Sequence, residues 1–329
     1  MRIKHSLTFG LQITFAALTL VVASSASGQS WPTAKPITFI NPFPPGGAVD
    51  GFGRPLAQQL GTQLGTTIIV DNRGGAGGTI GAALASKMAP DGYTWFLGAV
   101  HHAIAPSIYP KLSYSLEKDF EPVALISDVP HVIVVNPRKV PEKDLQSLLE
   151  RLKKTPGKVD YASTGSGTSQ HLAGELFKLK TGAKITHVPY RGTGPALQDL
   201  VAGHVDMMFD TLAGSSAFIK SGQLKPLAVT TKERVAGFES VPTATEAGVP
   251  DYVVSSWYAL FAIKGTPKPM IDRMIVEVEK ALAQQDMKTK WTTMGATSRK
   301  LTGAEFGTFV HSETLRWADV VKKANIRLD

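Results

Sequence analysis

Two short stretches of this chain combine glycine with residues that stiffen or decorate a backbone turn, and both stand directly before a helical pattern. In Pro42-Phe43-Pro44-Pro45-Gly46-Gly47-Ala48-Val49-Asp50 the glycines let backbone approach a bound group closely, and the prolines restrict the loop before it does so. In Ser163-Thr164-Gly165-Ser166-Gly167-Thr168-Ser169 hydroxyls and bare N–H groups open another helix. The first turn of a helix leaves backbone N–H groups unpaired, and its dipole favours negative charge there. A carboxylate lying between the two junctions is therefore bound from both sides. Each terminus contributes up to about 2 kcal/mol when partly buried. Each hydrogen bond to a charged group adds about 1.5–3 kcal/mol, so a few together reach the roughly 8 kcal/mol of micromolar binding. The plain alternative for the first stretch is a strand-to-helix turn in which Asp50 only caps or charges the first turn.

Other chemistries fail on inspection. Gly46 and Gly51 have the spacing of a phosphate-binding loop, but Phe52 stands where its lysine belongs. Gly75 and Gly77 begin a dinucleotide fingerprint that Ile80 breaks. Ser166 has Thr164 two residues before it where a nucleophile elbow needs glycine. The histidines show no metal-ligand spacing on a helix face, and the absence of cysteine excludes disulfides, thiolate metal sites and a cysteine nucleophile. No nucleophile, base and orienting group can be written together, so no enzyme, cofactor or metal is expected. His101 and His102 follow a strand end, where one reaches a cleft or sits in an exposed loop.

The elements that must position these loops are those of an α/β protein with a mostly parallel sheet. Strands are expected at 37–40, 68–70, 94–98, 132–135, 159–162, 186–189, 205–210 and 225–230. Helices are expected at about 49–64, up to 88, 143–153, 169–180 and 195–202, with Pro195 suited to a helix start. About 300 residues exceed one ordinary core and imply two domains.

At the N-terminus Arg2 and Lys4 precede an apolar run from Leu7 to Val22 and the small residues Ala23 to Ser27. That order predicts a secretory signal peptide over 1–27, cleaved near Ala26 or Ser27, rather than a membrane anchor, which needs about 20 apolar residues. The formal charge of +8 falls by two, to +6, when Arg2 and Lys4 leave. The basic residues are dispersed and export removes the partner, so no nucleic acid is expected; the excess is a mild field for anionic solutes.

Several ordered motifs carry a family resemblance: the Pro42 to Asp50 loop, Asp71-Asn72-Arg73-Gly74-Gly75-Ala76-Gly77-Gly78 and Ala89-Pro90-Asp91-Gly92-Tyr93. Tyr161 to Ser169, His187-Val188-Pro189-Tyr190-Arg191-Gly192, Val205 to Asp210 and Val241 to Gly248 follow. Together they closely resemble the Bug family, the extracytoplasmic solute receptors of tripartite tricarboxylate transporters. The resemblance implies a periplasmic-binding-protein type II-like fold, two α/β lobes around a hinge and ligand cleft. Lobe one would be 31–130 plus 255–329 and lobe two 131–254, with crossings near 129–133 and 253–257. It implies a carboxylate held by Gly46, Gly47 and Ala48 and by Ser163, Thr168 and Ser169, with Thr164 and Gly165 in the same loop. Asp50 and Asp210 match positions near the cleft, and Phe43 and His101 would meet the far end of the ligand. The expected partners are a small organic carboxylate and the permease of a tripartite transporter, served by a periplasmic monomer. A receptor feeding a membrane sensor and a secreted hydrolase are the alternatives.

Overall fold

The computed structural model describes residues 31–323, 325 and 326; the expected signal peptide lies outside them. Nine strands form one continuous sheet. The first three are β1 (Ile37–Asn41), β2 (Ile68–Asn72) and β3 (Thr94–Ala99), joined by α1 (Ala48–Leu64) and α2 (Thr79–Ala85). β1 pairs in parallel with both β2 and β3. Its Ile37, Phe39 and Ile40 are fully buried, as a central strand covered on both faces requires. α1 ends at Gly65, which takes the left-handed conformation that glycine adopts at no steric cost.

After α3 (Val100–Ile108) comes β4 (Phe120–Val135), a 16-residue strand that belongs to two halves of the sheet. Its Phe120 to Pro130 portion pairs antiparallel with β9 (Ser255–Ile263), which also pairs with β3. Its His131 to Val135 portion pairs with β7 (Met207–Thr211) and β8 (Lys225–Val229). The second half continues through β5 (Asp160–Ser163) and β6 (Thr186–Pro189), connected by α4 (Leu145–Lys154), α5 (Ser169–Thr181), α6 (Thr193–Ala202) and α7 (Leu212–Lys220). Around the junction His131 N donates to Val254 O at 3.3 Å, so the outgoing and returning chains cross side by side.

The returning chain runs through β9 and then α8 (Lys268–Ala283), α9 (Gln285–Thr293) and α10 (Gly303–Lys323). These helices pack on the first half: α8 against α1, and α10 against α3 and β4. The indoles of Trp257 and Trp317 both donate to Glu313 Oε2 at 3.2 Å, which satisfies a buried acid and two buried donors together. Fully burying one such large side chain contributes about 1.5–3 kcal/mol. Among the described residues no helix is long and apolar enough to cross a membrane.

Candidate functional site

Both sequence-selected loops sit at strand ends on the same rim, but they are built in opposite ways. The first connects β1 to α1. Gly46 has a φ of 80°, a left-handed turn that glycine permits. Gly47 is the N-cap of α1, with no side-chain capping hydrogen bond. The N–H groups of Ala48 and Val49 in the first turn have no intrahelical partner.

Asp50 holds this loop from behind. Its Oδ1 accepts from Asn41 Nδ2 at 3.2 Å and Asn72 Nδ2 at 3.1 Å. Its Oδ2 accepts from Gly46 N at 3.1 Å and Arg54 Nε at 2.8 Å. Burial alone would raise the Asp50 pKa; the hydrogen bonds from Arg54, Gly46 and Asn72 and the Arg54 charge outweigh it and hold the carboxyl below the usual range. The resemblance implied Asp50 near a ligand, but its four partners lie in the loop (Gly46), at the strand ends (Asn41, Asn72) and in α1 itself (Arg54). Gly46 spends its N–H on the same acid.

The second loop, from β5 into α5, spends its hydroxyls on itself. Ser163 Oγ lies 2.6 Å from His187 Nε2, donates to Gly165 O at 3.1 Å and accepts from Gly165 N at 3.1 Å. Thr164 Oγ1 donates to Gln170 Oε1 at 2.9 Å, and Ser169 Oγ to the same oxygen at 3.1 Å. Thr168 Oγ1 donates to Gly165 O at 2.7 Å and accepts from His171 N, which caps α5. Gly167 N donates to His171 Nδ1. Ser169 Oγ is also 2.8 Å from Ser256 Oγ, which lies 2.7 Å from His131 Nε2, so this side chain ties the loop to the strand crossing. Ser163, Thr168 and Ser169 are fully buried.

The helix that opens opposite α1 is α6. Its N-cap Gly192, at a φ of 116°, also lacks a side-chain capping bond. A Cβ added to Gly47 would stand 3.9 Å from Thr193 Oγ1, so the two helix starts face each other closely. By contrast α4, α5 and α7 are capped by Asp144, Thr168 and Thr211. Pro195, in the first turn of α6, lacks an N–H; Thr193 and Gly194 supply the free donors.

Between these two helix starts lies an inner cavity of about 30 Å³, room for the centre of about one water. Phe43, Gly47, Ala48, His101 and Thr164 line it, as does Gln170, with Thr193, Gly194 and Tyr258 beyond them. It continues into an outer space of about 770 Å³ bounded by Phe43, Thr164, Gly165, Tyr190 and Arg191. Tyr109, just past the end of α3, donates across the gap to Ser166 O at 3.0 Å, so the two halves already touch. Phe43, Gly47, Ala48, His101 and Thr164 are thus brought together. Asp50, Ser163, Thr168 and Ser169 stand behind the walls, and Gly165 lies at the outer space. Gln170, Thr193, Gly194 and Tyr258 were missed. The only sequence signal for them was Gly192-Thr193-Gly194-Pro195, a glycine turn with a proline near the helix start.

His101 lies in the first turn of α3 and is 5% exposed, not in an exposed loop. Phe43 meets its ring edge-on, 5.0 Å between centroids. Burial, then the neighbouring His102 and His131, pushes its pKa down to about 3, so the ring is neutral. Asp210 is fully buried on β7; its Oδ2 accepts from Ser215 Oγ at 2.7 Å, and burial pushes its pKa up to about 6 despite that bond.

The Ser163 and His187 contact is the nearest approach to a catalytic pair. Burial, then His171 and Lys178, pushes His187 down to about 3, far below what a base at neutral pH needs. Its ring stacks on His171 at 4.1 Å, and Ser163 is inaccessible. The pair is a structural hydrogen bond. Among the described residues no group of three or more histidines and acids could hold a metal ion.

Comparison with known proteins agrees with this architecture. The profile described as the tripartite tricarboxylate transporter family receptor matches residues 52–326. Protein BugT of Bordetella pertussis is 38% identical over 94% of this chain and 95% of its own length. The structure of Rhodopseudomonas palustris Rpa4515 with adipate is 34% identical, covers 91% of this chain and 100% of its own, and has a TM-score of 0.88. MatC from the same organism, with bound malate, is 34% identical over 87% of this chain and 99% of its own, with a TM-score of 0.83. The fold is that of periplasmic binding proteins, and the chain belongs to the tripartite tricarboxylate transporter receptor family.

Proposed function

We propose that this receptor captures one small organic carboxylate between the N-termini of α1 and α6 and delivers it to a tripartite transporter's permease. The observation that carries the reading is the pair of uncapped helix starts facing one cavity. Two such termini at up to about 2 kcal/mol each, with two or three N–H donors at about 1.5–3 kcal/mol each, suffice for micromolar affinity. The adipate and malate held by two relatives of this fold support a carboxylate here.

The lobes of the trap are 31–130 with 255–329, and 131–254, swinging at the crossings 129–133 and 253–257. Contacts that a ligand makes only when the halves close on it shift the equilibrium between open and closed forms. The leader over 1–27 is removed on export, and the mature monomer works in the periplasm. Solution scattering with and without a tightly bound carboxylate tests the trap. A smaller radius with ligand is expected, and an unchanged radius at saturation would contradict closure.

A further inference from the structure

We propose that the ligand enclosed here is a monocarboxylate with a flat, uncharged remainder, whose neutral polar substituent hydrogen-bonds His101; the proposal rests on the carboxylate reading above. Among the described residues, those lining the inner cavity include no lysine, arginine, aspartate or glutamate. Its positive potential comes from the α1 and α6 termini, about half a charge each. That balances one carboxylate and leaves nothing for a second at this depth.

Two further buried groups stand at or beside the cavity. His101 lines the cavity, yet its buried, neutral ring supplies no cation. Asp210 lies within hydrogen-bonding reach of Gln170 and close enough to Tyr258 to act on its hydroxyl. Burial raises its pKa, and its Oδ1 has no partner among the described residues.

The same wall asks for a neutral hydrogen bond. His101 Nδ1 is buried without a partner among the described residues, on a ring that lines the cavity. A buried polar atom is normally paired, so a ligand group that bonds it gains what the free site lacks. Phe43, Val49, Pro195 and Tyr258 supply apolar surface around it, which favours a thin ring over a hydrated chain. Among the described residues Arg191 is the one cationic residue bounding the outer space, and it is exposed. A long dicarboxylate would have to reach out to it.

Titration calorimetry on the mature chain at pH 7.5 tests this with 3-hydroxybenzoate, benzoate, malate, adipate and the neutral benzamide. The expected order places 3-hydroxybenzoate first, about tenfold tighter than benzoate, and both above malate and adipate, with benzamide silent. Arg191→Gln leaves the aromatic acids unchanged, and His101→Phe closes the gap between 3-hydroxybenzoate and benzoate to within about threefold. His101→Gln, which restores a polar group, reopens part of it, separating loss of a hydrogen bond from loss of packing. Tighter binding of malate or adipate than of either aromatic acid overturns the monocarboxylate proposal while leaving the carboxylate reading intact. Adipate that binds best and is lost in Arg191→Gln does the same and locates its second carboxylate. A hydroxyl preference that survives His101→Phe removes His101 from the site. Binding of benzamide with none of the acids, or no binding at all to a cooperatively melting protein, overturns the carboxylate reading itself.

Discussion

α5 and α6 begin on the same half of the sheet, each after a strand end and a glycine-containing turn, yet one start is sealed and the other is open. The α5 turn is rich in hydroxyls, and those hydroxyls close it: Thr168 caps the helix, Thr164 and Ser169 bond Gln170, and Ser163 bonds His187. The α6 turn offers Gly192 as its cap residue and no side-chain capping bond. A loop that looks equipped for an anion is therefore occupied by its own side chains, while the one lacking equipment has no side-chain cap on its first-turn N–H groups. The same contrast separates α1, open at Gly47, from α4, closed by Asp144.

The contrast can be broken at several points. Ala48→Pro removes one donor at the first helical position, where proline is tolerated. Calorimetry with a bound carboxylate should show a loss of about 1.5–3 kcal/mol with the melting temperature of the free protein nearly unchanged. Gly194→Asp converts the open start into a self-capped one; its Cβ meets nothing within 4 Å, so the backbone accepts it. Affinity should fall by about tenfold or more, while the free protein gains about 0.3–1 kcal/mol from an acid in the first turn. Weakened affinity without that gain would mean a clash rather than capping.

Thr168→Ala probes the sealed start. Denaturant unfolding should show a loss of about 1 kcal/mol, with affinity changed far less than in Ala48→Pro; the reverse pattern would return the carboxylate to α5. The smallest effect is on pH dependence. An anion in the cavity disfavours the ionised Asp210, so its pKa of about 6 in the free protein rises on binding. Binding then takes up protons, and affinity should climb a few-fold as pH falls from 8 through 6, with the climb absent in Asp210→Asn. Stability moves the other way. His101, His102, His131 and His187 have folded pKa values of about 3, 4, 3 and 3, below their unfolded value. The stability they hold as neutral rings is present above pH 6.5 and lost as pH falls toward 4, since the unfolded chain takes up protons first.

The sequence made β1, β2, β3, β7 and β8 legible as short runs rich in apolar residues, and β5 and β6 by the turn residues that bound them. It concealed most of β4 and all of β9. Pro122 and Pro130 argue against a strand at 120–130, but Pro122 sits at a register shift of the ladder and Pro130 at the crossing between the halves. β9 is buried along nearly its whole length, so it carries no alternation to read. At the site, the Pro42 to Val49 loop was legible because proline and glycine act through the backbone they occupy. The fate of the hydroxyls was not: Ser163 and Ser169 find His187 and Ser256 from 24 and 87 residues away, and Thr164 and Thr168 bond neighbours that only the folded turn brings into reach.

The most direct test of the central claim is a crystal structure of the chain with a bound carboxylate. The account predicts its oxygens within about 3 Å of the backbone nitrogens of Ala48 or Val49 and of Thr193 or Gly194, with the Thr168 cap on α5 intact. A carboxylate seated instead on the hydroxyls of Ser163, Thr168 and Ser169, with those side chains turned from their present partners, would contradict it.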